Sequence, residues 1–106
     1  MIKDYRRAIA NQATVSGIPL VGAARAETLN AQAPPGFHPQ DLLAGAQTVL
    51  ILARPLPRAV FSTPPEFNHL FYVRSFLTNY AVMDQAVHDA ALILEDAGYP
   101  ALPLPS

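Results

Sequence analysis

The segment "TVLILARPLP", residues 48–57, is the strongest structural signal in this chain. Residues 48–53 form a continuous apolar run with β-branched Thr48 and Val49 at its start, which is typical of a strand covered on both faces. Pro55 and Pro57 then end the strand, because proline lacks the N–H group that a strand ladder needs. A covered strand predicts helices packed above and below it.

A long helix over residues 64–97 follows this strand. Thr63 is placed to cap it and Glu66 to complete a capping box, while Gly98 supplies a left-handed end. At 100° per residue one apolar stripe emerges, made of Val73, Phe76, Leu77, Tyr80, Met83, Val87, Ala90, Ala91 and Leu94. A second apolar set lies on the opposite side, made of Phe71, Val82, Ala86 and Ile93. The pattern therefore predicts that the helix is covered on two sides.

Shorter elements complete the sequence-based picture. Residues 2–16 predict a helix ended by Gly17, with one face made of Ile2, Tyr5, Ile9, Ala13 and Ser16. Residues 18–24 predict a buried strand in which Gly22 marks a close backbone approach or a bulge. We interpret residues 25–40 as a loop and "HPQDLLAG", residues 38–45, as one helical turn.

The fold class follows from the order of these elements. A short terminal strand at residues 101–104 would complete a βαβ unit with strand 48–53 and helix 64–97, and its two strands would be parallel. We therefore expect an α/β (or α+β) fold with a small sheet, one βαβ unit, an N-terminal helix and one long helix. Residues 1–106 are expected to form a single domain.

Composition excludes several functional classes. The chain has no cysteine, so these residues contain neither a disulfide nor cysteine ligands for zinc or iron–sulfur clusters. A formal net charge of −1 gives no excess of basic residues for direct nucleic-acid binding. No signal peptide or membrane span is apparent, so we expect a cytoplasmic protein. Hydrophobic residues at 51% against 14% charged residues indicate that some apolar surface faces a partner.

Two groups of side chains are candidates for chemistry. Arg54, Arg58, His69 and Tyr72 could gather beyond the end of strand 48–53, where open α/β sheets bind ligands, and could hold an anionic or cofactor group. In the alternative interpretation, the two arginines lie in a solvated loop and Tyr72 only packs against its neighbours. A metal face of Asp84, His88 and Glu95 is the weaker candidate, because the Glu-x-x-His spacing of di-iron bundles is missing. We therefore expect no metal site.

Four sequence blocks resemble one family. They are "GIPLVGAA" (17–24), "PGFHPQDLLAGAQTVLILARPLP" (35–57), "NYAVMDQA" (79–86) and "LEDAGYPALPLP" (94–105). In this order and spacing they resemble the N-terminal region of epoxyqueuosine reductases and related corrinoid iron–sulfur proteins, including reductive dehalogenases. These enzymes include oxidoreductases of tRNA queuosine biosynthesis.

The resemblance implies a scaffold whose reactive parts lie elsewhere. In that family this region opens a larger domain that cradles cobalamin, followed by a ferredoxin-like part with two 4Fe–4S clusters. The cluster cysteines and the region of the catalytic aspartate are absent from these residues. Arg58, His69 and Tyr72 match a region close to the corrinoid and are therefore the cofactor-binding candidates. We expect no catalytic residue and no cofactor in this chain alone.

Three functional hypotheses follow. In the first, the chain is the scaffold-forming N-terminal part of such a reductase, truncated and inactive alone, with the remaining part of the same protein as its partner. In the second, it is a stand-alone interaction module that forms a homo-oligomer through the long helix. In the third, it is a small metal-dependent enzyme that uses Asp84, His88 and Glu95.

Overall fold

Four α-helices and a pair of strands make up the fold in a computed structural model that describes residues 2–105, with side chains from residue 6 onward. The elements are α1 (Ile2–Val15), β1 (Leu20–Arg25), α2 (Ala26–Gln32), α3 (Pro39–Leu42), β2 (Thr48–Ala53), a 3₁₀ helix (Arg58–Ser62) and α4 (Pro65–Asp96). This arrangement, 58% helical with a two-stranded sheet and a long helix, confirms the expected class of a small α/β fold. The side chains of Ile2 and Tyr5, which we placed on one face of the first helix, lie outside the described residues.

The sheet is an antiparallel pair. β1 and β2 pair in a regular register from Leu20 opposite Ala53 to Arg25 opposite Thr48. The predicted βαβ unit is therefore wrong, since residues 101–104 form no strand. Pro100, Pro103 and Pro105 interrupt the N–H groups in and beside this segment, and the Glu95 carboxylate accepts the N–H of Ala101 at 3.0 Å.

β2 has the predicted bounds but not the predicted environment. Leu52 packs against the core, whereas Ile51 is 52% exposed, so only one face of the strand is covered. Gly22 is neither in a bulge nor in a close approach, because its register is regular and a Cβ there would meet no atom within 4 Å.

The core lies where α1 and the turn after it meet α4. Ile9 and Ile18 are the largest fully buried side chains, and Ala13, Ile18 and Ala86 form one cluster. Val21, Leu52, Val82 and Met83 pack around that cluster. The small side chains of Ala13 and Ala86 leave room for the two helices to approach closely.

The buried side of α4 lies between the two predicted faces. Leu77, from the predicted main stripe, is 51% exposed, while Ala86, from the opposite set, is 2% exposed. Sequence periodicity finds apolar positions but does not say which of them a neighbouring element covers. The packing of α1 selects the Ala86 side.

Most helix boundaries agree with the sequence, with two exceptions. Gly17 and Gly98 end α1 and α4 with φ of 81° and 93°, as predicted. The Thr63 cap is wrong, because its hydroxyl donates to the carbonyl of Val60 and Pro64 occupies the cap position. Residues 25–40 are not all loop, since an alanine-rich segment forms α2 around the buried Ala26.

Candidate functional site

Two open grooves flank the segment that leaves β2. The first, about 730 Å³, is called the proline groove; it is lined by Thr14, Gly17, Ile18, Pro19, Arg54, Pro55, Leu56, Pro57, Phe71, Arg74, Ser75, Thr78 and Asn79. The second, about 330 Å³, is called the aromatic groove; it is lined by Arg54, Leu56, Tyr72, Phe76, Asn79, Tyr80 and Met83. Three residues line both, namely Arg54, Leu56 and Asn79. Segment 54–57 is thus a wall common to the two grooves.

One side-chain hydrogen bond ties this wall to α4. The Asn79 amide nitrogen donates to the carbonyl of Pro55 at 3.2 Å, and Asn79 is only 7% exposed. Prolines at 55 and 57 restrict the backbone of the segment because each ring fixes φ near −65°. The segment is therefore held in one path across the helix.

Aromatic rings form a continuous row along one side of α4. The ring centroids of Tyr72 and Phe76 lie 5.3 Å apart, and those of Phe76 and Tyr80 lie 5.1 Å apart. Phe61 of the 3₁₀ helix extends the row, with its centroid 5.9 Å from that of Tyr72. Spacing of four residues places these α4 rings above one another, and tilted pairs at these distances attract. The row gives the aromatic groove a wide apolar wall.

The predicted cofactor-binding residues are only partly brought together. Tyr72 lines the aromatic groove, and Arg54 lines it from the end of β2. Arg58 lies exposed on the 3₁₀ helix and His69 lies exposed on the first turns of α4, and neither lines a groove. Their role in binding a cofactor stays a prediction.

Arg54 is the most unusual polar group at the site. Its Nη1 atom is buried without a hydrogen-bond partner. Among the described side chains neither Arg54 nor Arg74 takes part in an ion pair. Arg54 brings a positive charge to both grooves, and Arg74 brings one to the proline groove.

Asn79 and Arg74 are among the groove residues that sequence reasoning missed. A signal for Asn79 exists, since it is a polar residue between apolar positions of the long helix. Arg74 has no such signal, because only the position of segment 54–57 beside α4 makes it part of a groove.

The described residues gather no metal site. Within residues 6–105 no three His, Cys, Asp or Glu side chains come together as metal ligands, and Asp84, His88 and Glu95 are included in that finding. The Glu95 carboxylate instead accepts the N–H of Ala101. Separately, no helix among the described residues has the length and apolar character needed to span a bilayer.

The chain therefore has a small α/β fold whose long helix borders two grooves. Compared with known proteins, the chain matches no family model, no curated protein and no solved structure. Any assignment of function therefore depends on the residues and geometry described above.

Proposed function

We propose that this chain is the scaffold-forming N-terminal region of an epoxyqueuosine-reductase-like protein of the cytoplasm. The complete protein would bind cobalamin and 4Fe–4S clusters and would act in tRNA queuosine biosynthesis. This chain alone would be inactive, because it has no cysteine to hold a cluster. The order of the four sequence blocks motivates the proposal, and the aromatic groove is the structural observation that carries it.

Position and chemistry of the aromatic groove support a cofactor role. It opens where β2 ends, and its wall of Tyr72, Phe76 and Tyr80 offers ring faces to a large, partly apolar group. Arg54 adds a positive charge beside that wall. An apolar wall with a few placed polar groups is the usual composition of a small-molecule site.

The volume of the groove supports a shared site. About 330 Å³ is at the lower end of the range occupied by drug-sized ligands, and a corrinoid is much larger than those. Other polypeptide would have to supply the rest of the walls. Phe61, an exposed apolar residue whose ring lies beside Tyr72, is a suitable surface for that cover.

The test is a titration with hydroxocobalamin, followed by its visible absorption spectrum. We expect the chain alone to bind weakly or not at all, because it offers only one wall of the site. Tight binding by the chain alone would contradict the claim that the site is shared.

The nucleotide sequence after codon 106 gives a second, independent test. An in-frame segment containing Cys-x₂-Cys-x₂-Cys-x₃-Cys-Pro would support the assignment. In a protein that includes such a segment, Tyr72→Ala should weaken cobalamin binding, while Arg25→Gln, outside both grooves, should not. Equal binding by the two variants would argue against the aromatic groove as a cobalamin wall.

A second candidate is a stand-alone interaction module that associates through α4. The observation in its favour is a set of half-exposed apolar side chains on the N-terminal half of that helix, namely Phe67, Leu70, Phe71 and Leu77. This set replaces the one derived from periodicity, because Ala86 is buried and Val82 packs against the core. This candidate would be favoured if the chain self-associates and if a longer protein that includes it binds no cobalamin.

A further inference from the structure

The proline groove is a pocket of ligand size on the other side of segment 54–57 from the aromatic groove. Its walls come from the turn after α1, from segment 54–57 and from the outer face of α4. About 730 Å³ lies well within the volume range of small-molecule sites. Of the candidate ligand-binding residues only Arg54 lines this pocket, and the family resemblance assigns no role to it.

The charges around the proline groove all have one sign. Arg54 and Arg74 line it, and no Asp or Glu is among its lining residues. Neither guanidinium has an ion-pair partner among the side chains of residues 6–105. The groove is thus locally positive in a chain whose formal net charge is −1.

Burial makes the charge of Arg54 costly in the absence of a counter-charge. Its Nη1 atom is out of contact with solvent and has no acceptor, so part of the guanidinium has lost water without gaining a hydrogen bond. A buried N–H donor on a charged group lowers the stability of the folded protein unless an anion lies close enough to accept its hydrogen bond. An oxyanion at the open edge of the same guanidinium would provide that missing negative charge.

Hydroxyl groups in the groove are less able to hold an anion. The Thr14 hydroxyl donates to the carbonyl of Ala10 at 2.9 Å, and the Thr78 hydroxyl donates to the carbonyl of Arg74 at 3.0 Å. A hydroxyl has one hydrogen, so these two are already used. The two arginines and the hydroxyl of Ser75, the third hydroxyl group of the groove, are therefore the donors that an anion would meet.

Apolar side chains form the remaining surface. Ile18, Pro19, Leu56, Pro57 and Phe71 line the groove beside the arginines. A ligand that carried only charge would leave this surface in water, whereas an apolar body would cover it. The lining therefore favours an anion attached to an aromatic or aliphatic group.

We propose that the proline groove binds a small organic oxyanion, a carboxylate or a phosphate monoester, through Arg54 and Arg74, with the apolar body of the ligand against Phe71 and the prolines. Arg54 lines both grooves, but Arg74, Phe71 and the prolines belong to the proline groove alone, so this site does not depend on the proposed cofactor role. It would therefore exist whether or not the chain meets cobalamin.

The test is an NMR titration of the ¹⁵N-labelled chain with benzoate and with phenyl phosphate, and benzamide serves as the neutral control. We expect saturable shifts for the amides of Gly17, Ile18, Leu56 and Arg74, and none with benzamide. Whichever anion binds more tightly identifies the oxyanion as carboxylate or phosphate. Inorganic phosphate should bind more weakly than phenyl phosphate, and equal binding would contradict the apolar part of the site.

Variants decide whether the arginines hold the anion. Arg54→Gln and Arg74→Gln should each weaken binding about tenfold or more, since each removes a charge-assisted contact. Arg25→Gln, which removes a charge outside the groove, should bind like the unchanged protein. If Arg54→Gln lowers stability, Arg54→Lys keeps the charge and should retain part of the affinity. Unchanged binding in Arg74→Gln, or shifts spread over the whole surface, would overturn the proposal.

Discussion

Asn79 is a single polar side chain that fixes the boundary between the two grooves. It is buried on the face of α4 that meets segment 54–57, and its amide donates to the Pro55 carbonyl. That carbonyl follows β2 and has left the strand ladder, so it needs a donor from elsewhere. One hydrogen bond thus satisfies the end of the strand and places Arg54 beside the helix.

Replacing Asn79 with alanine should lower the free energy of unfolding by about 1–3 kcal/mol, because it leaves the Pro55 carbonyl without its donor. Urea denaturation followed by far-ultraviolet circular dichroism measures this change. Gln85→Ala is the matched control, since its amide bonds Asp89 at 3.1 Å on the exposed side of the same helix. The control should change stability by no more than about 0.5 kcal/mol. Similar decreases in the free energy of unfolding of the two variants would show that the hydrogen bond to Pro55 stabilises the fold no more than an exposed one does.

At the level of elements, the C-terminal end of α4 is the best-defined boundary. The N–H of Tyr99 bonds the carbonyl of Leu94 at 3.0 Å, and the N–H of Gly98 bonds the carbonyl of Glu95 at 2.9 Å. This pair of bonds is the Schellman motif, which requires a residue in the left-handed backbone conformation directly after the C-cap residue Ala97. Gly98 provides it with φ of 93°.

Gly98→Ala should destabilise the fold by about 1 kcal/mol, because alanine adopts this backbone conformation at a cost. Gly22→Ala is the matched control: its φ lies outside the left-handed region and an added Cβ would meet nothing within 4 Å. The control should be neutral or stabilising by a few tenths of a kcal/mol, because it reduces the entropy of the unfolded chain. Thermal and urea unfolding of both variants measure the difference. Equal effects on stability would contradict the assigned helix end.

Sequence patterns predicted some elements closely and missed others for identifiable reasons. β2 begins and ends at the predicted residues, because a continuous apolar run closed by proline is a local signal. The prediction of a terminal strand at residues 101–104 was wrong because a strand needs a neighbouring strand to pair with, and the local sequence does not show whether one is present. Among the candidate site residues, Arg54 and Tyr72 meet at a groove because the end of β2 lies beside α4, a position that depends on tertiary packing.

At the scale of the whole molecule, the chain buries few large side chains. The Cα radius of gyration is 16.1 Å, whereas a compact chain of about 100 residues has a radius near 13 Å. Much of the difference follows from the flat shape, 48 × 34 × 16 Å, in which α4 covers one side of a narrow core. Apolar residues on the N-terminal half of α4 consequently face outward.

We expect the purified chain to self-associate at micromolar concentration through this part of α4, because association removes apolar surface from water. Sedimentation velocity over a concentration series measures the association. Leu70→Gln combined with Leu77→Gln should reduce it while changing stability little, since both side chains are half-exposed.

Leu92→Gln is the control for this prediction. Leu92 is also half-exposed, and it lies about 22 Å beyond Leu77 along the helix axis. The control should associate like the unchanged chain. A chain that stays monomeric at every concentration would remove the basis for the interaction-module hypothesis.

Local sequence is enough to predict the bounds of β2, the long helix, the glycine that ends it, and the excess of apolar residues over charged ones. These features depend on neighbours within a few residues, where propensity, proline chemistry and left-handed glycine act. Only the tertiary structure decided that β1 pairs antiparallel with β2, that Ala86 faces the core, and that Arg74 borders a groove. Those outcomes depend on which surfaces far apart in sequence fit together, and packing shape, rather than local pattern, selects among them.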